Sequence, residues 1–485
     1  ARARAPPAAP RAAAAAGAGG AALLAGTGLL RPAAVAALAD GGAPYAPWSQ
    51  TDNMLRQGPL GYLLGEIARQ RLDRIVPPTL EEVRAALASA PAFPRPGPAR
   101  RTLPDPDRPV VLSLLEAFWD PAELRAAGLS RDPVDPRLRA LWEAGGQSSA
   151  LSPEFGGATA NAEMEVLCGI PTRLVFPGVV FASSLANDVP CLPRLLSRDG
   201  RRAVAFHPNV RGFWSRGRAY PRLGFSRFFS LSSFVADDLN GDFLSDESLY
   251  RQAWARARPA GGSAAALTYV LTYTGHWPYP LNARRRSYEI SAASEPPVVG
   301  RYASSVLHSS RELVAFVERV LDDSPDAFVV ALGDHLPVLG ESVDVYERSG
   351  LFDARVLEFT PPKLRALTSV PLLVIDGRQG PVDVGTISQS EIPALVLERL
   401  GLPVPHWMAA LLPPPGWHVR TREEGMLVLS PDGGSQVCRA PDEAPACAVA
   451  FGWLERARVV SRDLVGGRQH ALSLAPGEAA SVAGR

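Results

Sequence analysis

Several short segments carry side chains of the kind that hold a divalent cation or move a proton. Glu116 ends the run Leu114-Leu115-Glu116, and Asp334 and His335 stand together in Gly333-Asp334-His335. His276 lies in Thr274-Gly275-His276-Trp277, and His207 follows Ala205-Phe206. Carboxylate oxygens joined by one imidazole suit Mn2+, Zn2+ or Mg2+. A nucleophile is available in Glu154-Phe155-Gly156-Gly157-Ala158-Thr159. Its glycines permit a tight turn, and Thr159 then opens a helix, where free N–H groups and the dipole favour negative charge. A hydroxyl placed there beside a cation is acidified and can attack phosphorus.

Four of these groups follow short apolar runs. The runs Val110–Leu115, Ala203–Phe206, Ala266–Thr272 and Ala327–Leu332, with a fifth at Val370–Ile375, read as buried strands. Helical patterns such as Ser305–Leu321 and Ser388–Leu400 lie between them. Alternating strands and helices predict an α/β domain, with a mostly parallel central sheet flanked by helices. In such sheets functional groups collect beyond the carboxyl ends of the strands, which brings the acids and histidines to one rim.

The sequence divides into four stretches. Residues 1–43 read as an Ala/Gly-rich leader or a marginal membrane segment: Arg2, Arg4 and Arg11 precede an uncharged run from Ala12 to Leu30, close to the roughly 20 residues a bilayer needs. Residues 44–104 are helical and then proline-rich, with a capping-box start at Thr79–Glu82 and the main boundary in the prolines of 91–109. The α/β domain occupies 105–405. Residues 406–485 form a small β-rich C-terminal subdomain, marked by Gly425–Leu429 and the turn Asp432-Gly433-Gly434.

The 485 residues carry a formal net charge of +1, which removes the electrostatic signature of a nucleic-acid partner. The four cysteines, Cys168, Cys191, Cys438 and Cys447, include no C-x-x-C pair and permit two bridges or none. The short loop between Cys438 and Cys447 makes that pair the better candidate.

The ordered series Gly156-Gly157-Ala158-Thr159 to Leu167-Cys168-Gly169, Phe206-His207, Phe213-Trp214-Ser215-Arg216, Gly275-His276-Trp277-Pro278-Tyr279 and Gly333-Asp334-His335 resembles the sulfatase-like phosphoglycerol transferases. These include lipoteichoic acid synthases and periplasmic glucan phosphoglycerol transferases of the alkaline phosphatase superfamily. The resemblance covers about 105–405. It implies Thr159 as nucleophile, and Glu116, Thr159, Asp334 and His335 around one cation, Mn2+ before Zn2+ or Mg2+. It implies His276 as an aid to proton transfer or a stabiliser of charge near the leaving group, and His207, Trp214 and Arg216 as holders of glycerol phosphate. Asn209 departs from the acid that some members carry two residues after the histidine.

The reaction so implied moves glycerol phosphate from a phosphatidylglycerol-type lipid to a glycan or polymer hydroxyl through a covalent threonine intermediate. The setting would be the extracytoplasmic side of a bacterial inner membrane, with Arg284-Arg285-Arg286 read first as a solvated loop and second as a contact for anionic headgroups. The rivals are a phosphoethanolamine transferase, a phosphodiesterase or sulfatase-type hydrolase, and a non-catalytic glycan- or headgroup-binding module. A true sulfatase needs C-x-P-x-R. Cys168-Gly169-Ile170-Pro171-Thr172-Arg173 is one residue too long, and Cys191-Leu192-Pro193-Arg194-Leu195 ends in the wrong residue.

Overall fold

A computed structural model describes residues 76–90, 105, 107–198, 200–258, 264–293, 296–340, 344–351 and 359–474. The leader at 1–43 and most of the 44–104 stretch lie outside these residues. A compact unit spans Val76–Arg485.

The strands are β1 (Val110–Leu115), β2 (Ser149–Leu151), β3 (Ala203–Phe206), β4 (Arg227–Phe229), β5 (Leu239–Asn240), β6 (Phe243–Leu244) and β7 (Leu267–Leu271). They continue with β8 (Phe328–Gly333), β9 (Ser369–Asp376), β10 (Gly380–Pro381), β11 (Thr386–Ser388), β12 (His418–Arg422), β13 (Gly425–Leu429) and β14 (Ser435–Cys438). One sheet runs β11-β2-β9-β8-β1-β7-β3-β4, with β10 paired to β9. β1 is parallel to both β7 and β8, and β3 is parallel to β7 and β4. All five expected strands form. The fifth, β9, runs antiparallel to β8, because its connection returns along the rim side rather than crossing over.

Every residue of β1, β7 and β8 is buried, as a sheet covered on both faces requires. Helices Pro136–Ala144 and Asp246–Ala257 each pack on Pro297–Asp323, while Leu192–Leu196 and Ile392–Arg399 pack on Thr159–Cys168 as a second group. The capping box at Thr79 and Glu82 starts the helix Leu80–Ala88.

β12, β13 and β14 make the small antiparallel sheet expected near the C-terminus. Leu427, Leu429 and Val437 seat it on Leu151 of β2 and on Leu364. The same stretch carries a helix, Pro445–Gly466, that turn and alternation signals do not announce. It packs against Leu80–Ala88, which lies on the other side of the proline-rich stretch in sequence.

Candidate active site

Three loops converge beyond the carboxyl ends of β1, β7 and β8, and two glycines allow it. A Cβ on Gly275 would sit 1.9 Å from the Glu116 carbonyl oxygen, and one on Gly333 would sit 2.0 Å from that of Phe118. Only a residue without a side chain lets the His276 and Asp334 loops press against the turn that carries Glu116. That turn places Ala117 at φ 47°.

The ligand atoms of Glu116, Asp334 and His335 lie within 4.8 Å of one another. Thr159 Oγ1 donates to Glu116 Oε2 at 3.4 Å, and Thr159 is only 5% exposed. Asp334 Oδ1 accepts the amides of Ala117 and His335, both at 2.7 Å. Its Oδ2 is buried without a hydrogen bond, as is His335 Nε2, 3.2 Å away.

His335 Nδ1 lies 2.8 Å from the Leu336 carbonyl, which can only accept, so Nδ1 carries hydrogen and Nε2 is the nitrogen turned to the acids. Burial pushes the Asp334 carboxyl up to about 7; His335 opposes this and Glu116 adds to it. Burial would lower His335, but Asp334 and Glu116 hold it above the ordinary range. Two acids and an orphaned imidazole nitrogen in a low-dielectric pocket form a site that a divalent cation fits. The donor set of carboxylates, imidazole and hydroxyl matches that chemistry.

Thr159 begins a helix whose ten side chains are all buried. The turn before it needs Gly156 at φ 68°, and Ala158 precedes the helix at φ 57°. His276 Nδ1 faces the Trp277 carbonyl at 2.8 Å, and its ring packs beside Tyr273 and Phe243. His207 Nδ1 bonds the Leu271 carbonyl at 3.1 Å. Burial, then the Arg216 charge, keeps His207 well below its usual pKa and therefore neutral. Trp214 and Ser215 both take left-handed backbone angles, at φ 53° and 60°, a costly arrangement for two side-chain-bearing residues. Asn209 donates to the Tyr273 hydroxyl at 3.2 Å.

Arg216 is buried, and its Nε and Nη2 both meet Glu163 Oε1 at 2.8 Å. Its Nη1 has a 3.4 Å bond to the Phe213 carbonyl. The sequence reading did not single out Glu163, although an acid one turn after Thr159 on a helix with no solvated face needs a buried counter-charge. It also missed the braces of the two loops. Asp246 accepts the amides of Tyr273 and Thr274, and Gln389 donates to the Gly333 and Asp334 carbonyls. Although Arg284 and Arg285 are exposed, neither a solvated loop nor headgroup contact describes Arg286. Its guanidinium is buried against Asp238, Glu247 and Glu312.

Two disulfides form, Cys168–Cys191 and Cys438–Cys447. The first ties together the two cysteines of the near-miss C-x-P-x-R segments, so neither is available as a formylglycine precursor. It also anchors the far end of the Thr159 helix.

The sulfatase family model matches residues 108–402, more than half of the sequence. The chain belongs to the sulfatase family. Within it, this sulfatase-family chain is 29% identical over 374 residues to a protein of Rhizobium meliloti (strain 1021) named for cyclic beta-1,2-glucan modification. That match covers 75% of this chain and 56% of the relative. Lipoteichoic acid synthase 1 of Bacillus subtilis (strain 168) is 22% identical over 219 residues, 43% of this chain and 33% of that one. The chain thus spans about half and a third of these curated relatives.

Among solved structures, the lipoteichoic acid synthase LtaP of Listeria monocytogenes aligns with a TM-score of 0.58 at 18% identity, covering 79% of this chain and 98% of that one. Streptococcus pyogenes phosphoglycerol transferase GacH, solved with sn-glycerol-1-phosphate, gives 0.55 at 18% identity and covers 84% and 94%. At 18% identity these likenesses establish the fold alone, a mostly parallel sheet flanked by helices.

Proposed function

We propose that this protein transfers glycerol phosphate from a phosphatidylglycerol-type lipid to a glycan or polymer hydroxyl, with Thr159 as the covalent carrier. The observation that carries this reading is Thr159 at a helix N-terminus, 3.4 Å from Glu116 and beside the unmatched pair Asp334 and His335. Glu116, Thr159, Asp334 and His335 would hold one cation, Mn2+ in our assignment. Such an ion supplies charge neutralisation and a more acidic hydroxyl.

The residues then divide the work. Thr159 Oγ1 forms the bond to phosphorus, its proton leaves toward Glu116 and solvent, and the bond to diacylglycerol breaks. His276, with Nδ1 fixed by a carbonyl, supplies a proton to the departing oxygen from Nε2. In the second step Nε2 takes the proton of the acceptor hydroxyl, the acceptor oxygen bonds phosphorus, and the Thr159 Oγ1–phosphorus bond breaks as Thr159 regains a proton. His207, neutral and buried with its hydrogen on Nδ1 toward the Leu271 carbonyl, accepts at Nε2 from a glycerol hydroxyl. Trp214 walls the glycerol carbons, and Arg216 brings positive charge to the phosphate through Nη1. The two disulfides support an oxidising, extracytoplasmic setting at the cell envelope.

The test is intact-protein mass spectrometry after incubation with phosphatidylglycerol and Mn2+. A glycerophosphoryl adduct on Thr159 is expected, and a phosphoethanolamine adduct from phosphatidylethanolamine instead would reassign the donor. Thr159→Ala should lose turnover by at least about a thousandfold. Turnover of donor at the original rate in that variant overturns the assignment.

A further inference from the structure

Nine large apolar side chains are exposed among the described residues, and five of them are Val210, Leu231, Trp277, Tyr288 and Val338. These five sit on the loops that follow β3, β4, β7 and β8, at the rim of the candidate site. Contacts through Asn209, Tyr273, His276 and Tyr279 link the loops that carry them. The Leu231 amide donates to the Asn209 carbonyl beside Val210, and Asn209 reaches Tyr273, whose ring lies 4.9 Å from that of His276. The Trp277 ring lies 5.6 Å from that of Tyr279, and the Tyr279 hydroxyl donates to the Val338 carbonyl at 2.5 Å. The Tyr288 hydroxyl donates to the Tyr279 carbonyl at 3.2 Å.

Apolar surface left in water on such linked loops marks an interaction face. Its chemistry favours one kind of partner. Trp277 and Tyr288 are the amphipathic rings that settle at the level of lipid headgroups. Arg211, next to Val210, and Arg284, on the loop between Trp277 and Tyr288, are exposed and complement lipid phosphates.

We propose that these loops are a bilayer-docking surface, whose apolar side chains enter the headgroup region of an anionic membrane while Arg211 and Arg284 pair with its phosphates. The catalytic mouth then opens directly onto lipid. Its purpose rests on the lipid-donor reading above, but its test does not.

The full chain is mixed with vesicles of phosphatidylcholine alone or with added phosphatidylserine, an anionic lipid without a glycerol headgroup. The emission that depends on Trp277, obtained by subtracting Trp277→Phe, should move to shorter wavelength and be quenched by brominated lipid only on the anionic vesicles. Replacing Val210, Leu231, Trp277 and Val338 together by Ser should weaken that vesicle binding about tenfold or more, since binding follows the apolar area inserted. The control set Val76→Ser, Leu80→Ser and Leu472→Ser should leave it unchanged. Turnover of a water-soluble glycerophosphodiester should survive in the rim variant.

Unchanged Trp277 emission on vesicles overturns the proposal, even if the chain binds them elsewhere. So does an equal effect of the two variant sets, or a rim variant that loses only self-association in light scattering. Vesicle docking without any Thr159 adduct would leave this surface standing and remove the transfer reading instead.

Discussion

Two sets of carboxylates, all buried except the partly buried Glu116, share this domain and are handled in opposite ways. Glu154, Glu163 and Glu165 each have their own arginine: Arg173, Arg216 and Arg420. Glu163 also takes the hydroxyls of Tyr220 and Tyr269, and Glu165 that of Thr172. Among the described residues Glu116 and Asp334 have no arginine or lysine partner; they face each other, His335 and the Thr159 hydroxyl. The matched acids lock the Thr159 helix to distant segments. The unmatched acids bear a repulsion that a folded protein tolerates only where something else will offset it.

The largest effect should come from the unmatched set. Asp334→Asn is expected to cut turnover about a thousandfold or more and to abolish stoichiometric Mn2+ binding. Yet it should raise the melting temperature of the metal-free protein near pH 8, because one of two facing charges is gone. A fall in metal-free melting temperature equal to the loss in any matched pair would erase the distinction between the sets.

The matched set should respond in the other sense. Glu165→Gln leaves Arg420 buried with its charge uncompensated and should cost about 3–5 kcal/mol in urea unfolding. A joint Glu165→Leu and Arg420→Met replacement should recover part of that loss. Metal affinity should stay near that of the parent protein, which calorimetry can check.

The smallest effect is one of pH. Asp334, raised to about 7, keeps a proton in the folded metal-free protein that the unfolded chain gives up near pH 4. Its contribution to stability is therefore present at low pH and lost as pH rises through about 7. His335, held above its usual value by the two acids, acts in the same direction. Metal-free protein should lose on the order of 1–3 kcal/mol between pH 5 and pH 8. Saturating Mn2+ should abolish or reverse that trend, since the ion binds the deprotonated groups. Stability independent of pH without metal would mean the acids are not coupled as described.

The sequence made the unmatched set legible because each member follows an apolar run and a strand has one end at the rim. Glu116 and Asp334 need only the parallel pairing of β1 and β8 to become neighbours. The matched set leaves no such trace. Arg420 reaches Glu165 across 255 residues, from a β-strand near the C-terminus. No period or spacing encodes that meeting; it depends on how the small sheet seats against β2. The direction of β9 was hidden for a related reason: strand composition is alike in parallel and antiparallel positions when both faces are buried. The Cys168–Cys191 bridge was hidden too, because its cysteines belong to two helical segments that meet only after the second helix group packs.

Enclosure of all ten side chains between Thr159 and Cys168 has an evolutionary and a practical corollary. A segment with no outward-facing position offers no place where a neutral change can be tried. Under the transfer reading proposed above, a change of acceptor belongs in the loops at the rim, and an engineer should randomise those and leave this segment untouched.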